Sequence, residues 1–257
     1  MPYSFESRVR YSEIDEKGFL SLGALVDYFQ DCSTFQSEDS GIGIYKLKEL
    51  HQAWLLSSWQ IIIHHLPKLC DYVKVSTIPY AFKSFLGYRN FLLEDDKGVA
   101  AIANSVWALF DMDKEKPVRV SEEMAECYHP EEKLEMPYAS RKIKLPEDSD
   151  RTGEYQEAFL ITRHHLDTNH HVNNGQYIRM AMEYLPAGWQ IGQVRAEYRM
   201  QARLGDEIHP HCYTGGEGEE NRNFLVVLEN PEKKPFAAVE FLREDGKTCC
   251  ELEKNRI

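Results

Sequence analysis

The chain has 257 residues, is 42% hydrophobic, and carries 42 acidic against 30 basic side chains for a formal net charge of -12. That length and apolar content suffice for a sizeable core in one large or two modest domains. The acidic balance excludes a general nucleic-acid binder, which needs a concentrated basic surface, and sends any acidic partner to a local basic patch.

In chain order, the start Met-Pro-Tyr-Ser-Phe-Glu-Ser-Arg has neither a basic head nor an apolar run, so no signal peptide is expected. No stretch reaches the roughly 20 apolar residues of a membrane span. The six cysteines (Cys32, Cys70, Cys127, Cys212, Cys249, Cys250) form no C-x-x-C pair and read as reduced thiols of a cytoplasmic protein. Adjacent Cys249 and Cys250 are poorly placed to bridge each other.

Ser21 is a predicted N-cap, and Leu22, Leu25, Val26 and Phe29 follow as the i, i+3, i+4, i+7 stripe of a buried helix face, with Gly41 and Gly43 after it. Runs rich in β-branched and aromatic residues predict strands at 54–65, 72–77, 86–94 and 99–111, with Gly98 at a hairpin turn. Residues 129–153 hold Pro130, Pro137 and Pro146 among charged side chains, follow no period, and read as a linker. Beyond them Asn173 or Asn174 opens a second helix through Ile178, Ala181, Met182 and Leu185, stopped by Pro186. Strands are predicted at 194–203, 207–213, 224–229 and 236–243, with Asn230-Pro231 in the last hairpin.

The two halves repeat. At an offset of 152, Asp15 falls on Asp167, Ile14 on Leu166 and Gly23 on Gly175. Farther on, Asp71 matches Asp206 at 135 and Arg89-Asn90-Phe91-Leu92 matches Arg222-Asn223-Phe224-Leu225 at 133, the drift expected of short loop deletions. A single α+β domain with chance self-similarity is the simpler alternative; three blocks matched in the same order favour the repeat. One long helix followed by a meander of strands, twice over, predicts an α+β chain with a tandem hot-dog fold, two helix-wrapped antiparallel sheets forming a pseudo-dimer. The expected boundaries are an N-terminal hot-dog domain at 1–128, the linker at 129–153, and a C-terminal hot-dog domain at 154–257.

The copies differ in chemistry. Asn169 and His171 of the second stand where the first has Lys17 and Phe19, while both keep the aspartate. A histidine carries protons near neutrality, an amide can hold a water or a carbonyl oxygen, and an aspartate can orient either or act as base. The helix start behind them offers N–H groups for a developing oxyanion. Turn chemistry alone also places Asp and Asn at such positions. The cluster His164, His165, His170, His171 has no familiar metal-ligand spacing, so neither metal nor cofactor is expected. A second polar row alternates at Glu197, Arg199, Gln201 and Arg203, with Tyr198, Met200 and Ala202 on the opposite face.

The element Asp167, Asn169, His171, Val172, Asn173, Asn174, Tyr177, together with Trp54-Leu55-Leu56-Ser57-Ser58-Trp59, Asn104-Ser105-Val106-Trp107 and Glu197-Tyr198-Arg199, resembles the acyl-acyl carrier protein thioesterases of plants and bacteria. The likeness spans both halves and is to a bacterial member of the family. It implies hydrolysis of fatty acyl-acyl carrier protein to free fatty acid, with the catalytic residues in the second copy and the acyl pocket largely in the first. Asp167, Asn169 and His171 are then the catalytic candidates.

Where plant members carry Glu-Cys after Glu-Tyr-Arg and one more residue, this chain has Gln201-Ala202. No cysteine nucleophile stands there, and a glutamine amide is no base. Water attack follows, with Asn169 and Gln201 positioning water or carbonyl, His171 moving the proton, and Asp167 orienting the pair or serving as base. The implied partner is an acidic carrier protein, to be met by Arg195, Arg199, Arg203 and the Arg141-Lys142-Ile143-Lys144 run; pairing into a homodimer is left open. Competing readings are an acyl-thioester hydratase or dehydratase of the same fold and a non-catalytic acyl-thioester binding module. Chain-length preference is not legible, because it depends on how side chains close a pocket in space.

Overall fold

A computed structural model of the chain describes residues 2–146, 153–215 and 223–243. They divide into two compact units, the first running to Arg141 and the second from Lys142, with Ile62–His64 grouped with the second.

In the first unit, β1 (Tyr3–Arg8) precedes α1 (Leu22–Asp39), α2 (Ile44–Glu49), β2 (Gln52–Ile63), β3 (Tyr72–Lys83), β4 (Leu86–Asp95), β5 (Gly98–Asp111), β6 (Lys116–Pro117) and α3 (Glu122–Cys127). The sheet order is β1-β3-β4-β5-β2, with β6 on β5. Ser21 caps α1 as expected, its Oγ accepting from the Ala24 N–H at 3.2 Å. The helix then lays Leu25, Phe29 and Cys32, all 0% exposed, toward the sheet. Phe29, Trp59 and Phe91 meet there, with ring centroids 5.2 Å apart for Phe29–Phe91 and 4.9 Å for Trp59–Phe91. Burying each such side chain contributes roughly 1.5–3 kcal/mol, and truncating Phe29 to alanine would cost about 3–5 kcal/mol through the cavity it leaves.

β3 continues past Thr77, the expected end, to Lys83. Pro79 still pairs with Arg89, and the register shifts right after it, with Tyr80 left without a partner in β4; a proline, lacking an N–H, is tolerated beside such a bulge. β1, α2, α3 and the two-residue strands are not predicted by the sequence patterns. At six residues or fewer each, they give periodicity too few repeats.

Residues 129–141, part of the expected linker, lie against this unit. Leu134 N–H donates to Asn90 Oδ1 at 3.1 Å, and Gln60 both donates to the Pro137 carbonyl at 2.7 Å and accepts from Ala139 N–H at 2.8 Å.

The second unit holds β7 (Glu154–Tyr155), β8 (Phe159–Leu160), α4 (Asn174–Met182), β9 (Ile191–Tyr198), β10 (Glu207–Gly215), β11 (Asn223–Glu229) and β12 (Pro235–Arg243). Its sheet order is β9-β12-β11-β10-β7, all antiparallel, with β8 on β10. α4 packs on β11 and β12 through Ile178 and Ala181, both fully buried. Ile143, Tyr213, Leu225, Val227 and Ala238 form a second apolar cluster in this unit.

α4 has 9 residues against 18 in α1. It ends ahead of Pro186 because Tyr184 and Leu185 make tight three-residue turns back to Ala181 and Met182, consistent with the bias against helical geometry just before a proline. β9 stops at Tyr198 rather than 203: Arg199 and Met200 both donate to the Phe236 carbonyl, and the doubled bond breaks the alternation expected through Arg203. Cys32, Cys70, Cys127 and Cys212 are free thiols; Cys249 and Cys250 lie outside the described residues. No helix among the described residues is long and apolar enough to cross a membrane.

Candidate active site

Asp167, Asn169 and His171 sit in one loop between a 3-10 turn at Arg163–His165 and α4. His165 and His164 use their Nδ1 atoms on Thr162, at 3.0 Å to its N–H and 2.9 Å to its hydroxyl, so these two histidines build the turn. Among the described residues no group of three or more His, Cys, Asp or Glu is arranged to hold a metal ion.

The chain then doubles back. Leu166 pairs with Val172 in antiparallel register, and Asp167 N–H donates to the His171 carbonyl at 2.8 Å. Closing so short a loop requires a left-handed residue, which is His170 at φ 61°. Asp167 Oδ1 accepts from the Asn169 N–H at 2.7 Å and the His171 N–H at 3.2 Å. The aspartate therefore orients both candidates through their backbone amides; no hydrogen bond joins its carboxylate to the His171 ring.

The first unit contains the same loop. Asp15 Oδ1 accepts from Lys17 and Phe19 N–H, each at 2.9 Å, Asp15 N–H donates to the Phe19 carbonyl, and Gly18 takes the left-handed position at φ 82°. The loop is thus a scaffold common to both units, and Asn169 and His171 are what the second adds.

Gln201 reaches this loop through its neighbours. Val172 N–H donates to the Ala202 carbonyl at 2.9 Å, and His171 pairs with Arg203 as an isolated bridge. Asn169 and Gln201 are exposed, whereas His171 is 9% exposed. Burial, then the positive charge of Arg203, hold the His171 imidazole below its ordinary value, Asp167 opposing and His170 adding to the shift. The ring is accordingly neutral near pH 7 and able to accept a proton.

Two expectations change. The α4 amides named as oxyanion donors are partly committed, since Gly175 N–H donates to Asn173 Oδ1 and Gln176 N–H to the Asn173 carbonyl, both at 2.9 Å. The expected basic area is also reduced. Arg195 pairs with Glu240, Arg199 pairs with Glu197, and their guanidinium groups donate to the Lys142 and Ile143 carbonyls. Arg203, counted in the sequence only as surface charge, is instead the cation beside His171; its equivalence to Lys68, which pairs with Phe19, was the available signal.

A family model described as the acyl-ACP thioesterase N-terminal domain matches residues 2–128, and one described as the C-terminal domain matches 148–241. The chain belongs to the acyl-ACP thioesterase family. An oleoyl-acyl carrier protein thioesterase from Arabidopsis thaliana is 27% identical over 174 residues, 63% of this chain and 47% of that protein. An acyl-acyl carrier protein hydrolase from Cuphea viscosissima is 24% identical over 239 residues, 86% of this chain and 58% of its own. The chain thus spans about half the length of the curated relatives it matches. An acyl-ACP thioesterase from Bacteroides thetaiotaomicron superposes with a TM-score of 0.83 at 22% identity, over 94% of this chain and 97% of its own. The 12:0-ACP thioesterase from Umbellularia californica gives 0.80 at 16% identity, over 94% and 96%. At these identities the likeness establishes the fold, a double hot-dog.

Proposed function

We propose that this family member hydrolyses the thioester of fatty acyl-acyl carrier protein and releases free fatty acid, with chemistry at the 167–171 loop. The observation that carries the reading is a buried imidazole at His171, next but one to an exposed amide at Asn169, on a loop whose backbone is fixed by Asp167.

In this scheme Gln201 holds a water and His171 takes its proton as the oxygen bonds to the acyl carbon. Asn169 donates to the oxygen that becomes negative in the tetrahedral intermediate. The C–S bond then breaks, His171 returns the proton to the leaving sulfur, and the acyl group departs as the acid. Asp167 keeps Asn169 and His171 in register and takes no proton. A base of this kind contributes about 10²–10⁴ in rate and an oxyanion donor about 10²–10³.

The acyl chain is accommodated mainly by the first unit, and the enzyme works in the cytoplasm, for which the free thiols are the support. The acidic carrier docks on a basic area reduced to such exposed residues as Arg203 and Lys144. The test is free-thiol release from acyl-acyl carrier proteins of graded chain length, beside acyl-coenzyme A and enoyl hydration controls. Turnover on the carrier substrates that survives both Asn169→Ala and His171→Ala would remove the assignment, and enoyl hydration without thiol release would replace the activity.

A further inference from the structure

The scaffold shared by the two units breaks at one pair of buried positions beside the candidate site. Val172 N–H donates to the Ala202 carbonyl, and its counterpart Leu20 N–H donates to the Pro67 carbonyl at 2.8 Å. The return strand therefore crosses the loop in the same way in both units. The amide of residue 202 is another matter. Ala202 is fully buried, so its N–H needs a partner, and the hydroxyl of Tyr177 accepts it at 2.9 Å. In the first unit Pro67 has no N–H to satisfy, and the helix presents Leu25 where Tyr177 stands. Proline with leucine and alanine with tyrosine are two solutions to one local problem; only the second ties the return strand to the helix by a directional bond.

That bond fixes a particular peptide. The N–H of Ala202 belongs to the plane that carries the Gln201 carbonyl, so the Tyr177 hydroxyl sets the backbone from which the Gln201 side chain leaves. Tyr177 is itself held: it is 2% exposed and meets Tyr198 edge-on with centroids 5.8 Å apart, and the Tyr198 hydroxyl donates to the Asn174 carbonyl at 2.9 Å in the first turn of α4. Burial pushes the Tyr177 hydroxyl up to about 12, so it stays neutral across the working pH range.

We propose that Tyr177 is a positioning residue for Gln201, locking the Gln201–Ala202 peptide to α4 so that the amide faces the loop of Asn169 and His171. This rests on the role given to Gln201 above. Being neutral and engaged with the backbone, Tyr177 acts through Gln201 and moves no proton itself.

The experiment is a double-mutant cycle on the acyl-acyl carrier protein that the wild type turns over fastest, with kcat, KM and Tm measured for Tyr177→Phe, Gln201→Ala and the pair. Tyr177→Phe should lower kcat about ten- to a hundredfold with KM little changed, the scale on which small displacements of a reacting group act. The pair should be no slower than Gln201→Ala alone. Ala202→Pro, which copies Pro67 and removes the same N–H from the other side, should reproduce the kcat loss and add nothing to Tyr177→Phe. It stands in if Tyr177→Phe fails to fold. A lower Tm with unchanged kcat, or losses that add in the cycle, would make Tyr177 merely structural and overturn the proposal. If Gln201→Ala itself leaves kcat intact, the role of Gln201 falls and this inference with it; a slow Gln201→Ala beside a normal Tyr177→Phe overturns the inference alone.

Discussion

In residues 13–21 an aspartate bonds two backbone amides, a left-handed glycine closes the loop, and a serine caps the helix that follows. In residues 165–173 an aspartate bonds two backbone amides, a left-handed histidine closes the loop, and an asparagine caps the helix. The two backbones are built alike, and the side chains between the fixed points are not. Lys17 and Phe19 equip one loop for solvent and packing; Asn169 and His171 equip the other for hydrogen bonding and proton transfer. Within one chain, then, the first loop serves as an internal control, separating what the fold requires from what the chemistry adds.

The largest effect that tests this separation is at His171. His171→Ala should lower kcat about 10²–10⁴-fold on acyl-carrier substrates, whereas Phe19→Ala should lower Tm and leave kcat of the folded enzyme near normal. Equal losses of kcat at both positions would mean that the loops are not chemically distinct. Asn169→Ala should cost about 10²–10³ in kcat against no more than a small change for Lys17→Ala, measured as single-turnover thiol release.

The aspartates sharpen the comparison because they are the feature in common. If Asp167 acts by accepting two amides, Asp167→Asn keeps an acceptor oxygen and should retain most of kcat, losing about 1 kcal/mol of loop stability with the charge. Asp167→Ala should lose much more. If Asp167 were the base, asparagine and alanine would be equally inactive. Asp15→Ala should lower Tm alone.

Much of this was legible in the sequence, for reasons the residues make plain. Ser21 and the Leu22, Leu25, Val26, Phe29 stripe announced α1, and the offset of 152 found the second loop, because caps and buried faces leave local, periodic marks. β1 and α3 did not show, since two or three alternations and a single turn are shorter than any period they would have to establish. The end of β9 was missed because Arg199 and Met200 share one carbonyl, a tertiary arrangement with no local sign. The contact of Tyr177 with Ala202 was likewise invisible as a contact, although the exchange of Leu25 and Pro67 for Tyr177 and Ala202 was there to be read once the copies were aligned. Arg195 looked like a free cation because its partners, Glu240 and the Lys142 carbonyl, are distant in sequence, and the bond of Arg199 to the distant Ile143 carbonyl likewise left no local mark beside its pairing with Glu197.

The smallest effect concerns pH, and it follows from the pairing of His171 with Arg203 where the first unit pairs Phe19 with Lys68. The folded imidazole sits below its ordinary value of 6.5, burial being the first cause and Arg203 the second. As the active form is neutral, the acid limb of kcat/KM should lie below the ordinary histidine value of 6.5. Stability runs in the same direction. Between the unfolded and the folded value the unfolded chain binds a proton that the folded chain refuses, so this residue's contribution to stability declines as pH drops through 6.5. Arg203→Gln removes the second cause and leaves the first, so the acid limb should rise toward the ordinary value without reaching it. Because Arg203 is exposed, added salt should move the wild-type limb the same way and leave the variant nearly still. A limb that ignores both salt and Arg203→Gln would mean that burial alone sets the proton affinity of His171. The cation would then be, like Lys68, a structural partner of the loop.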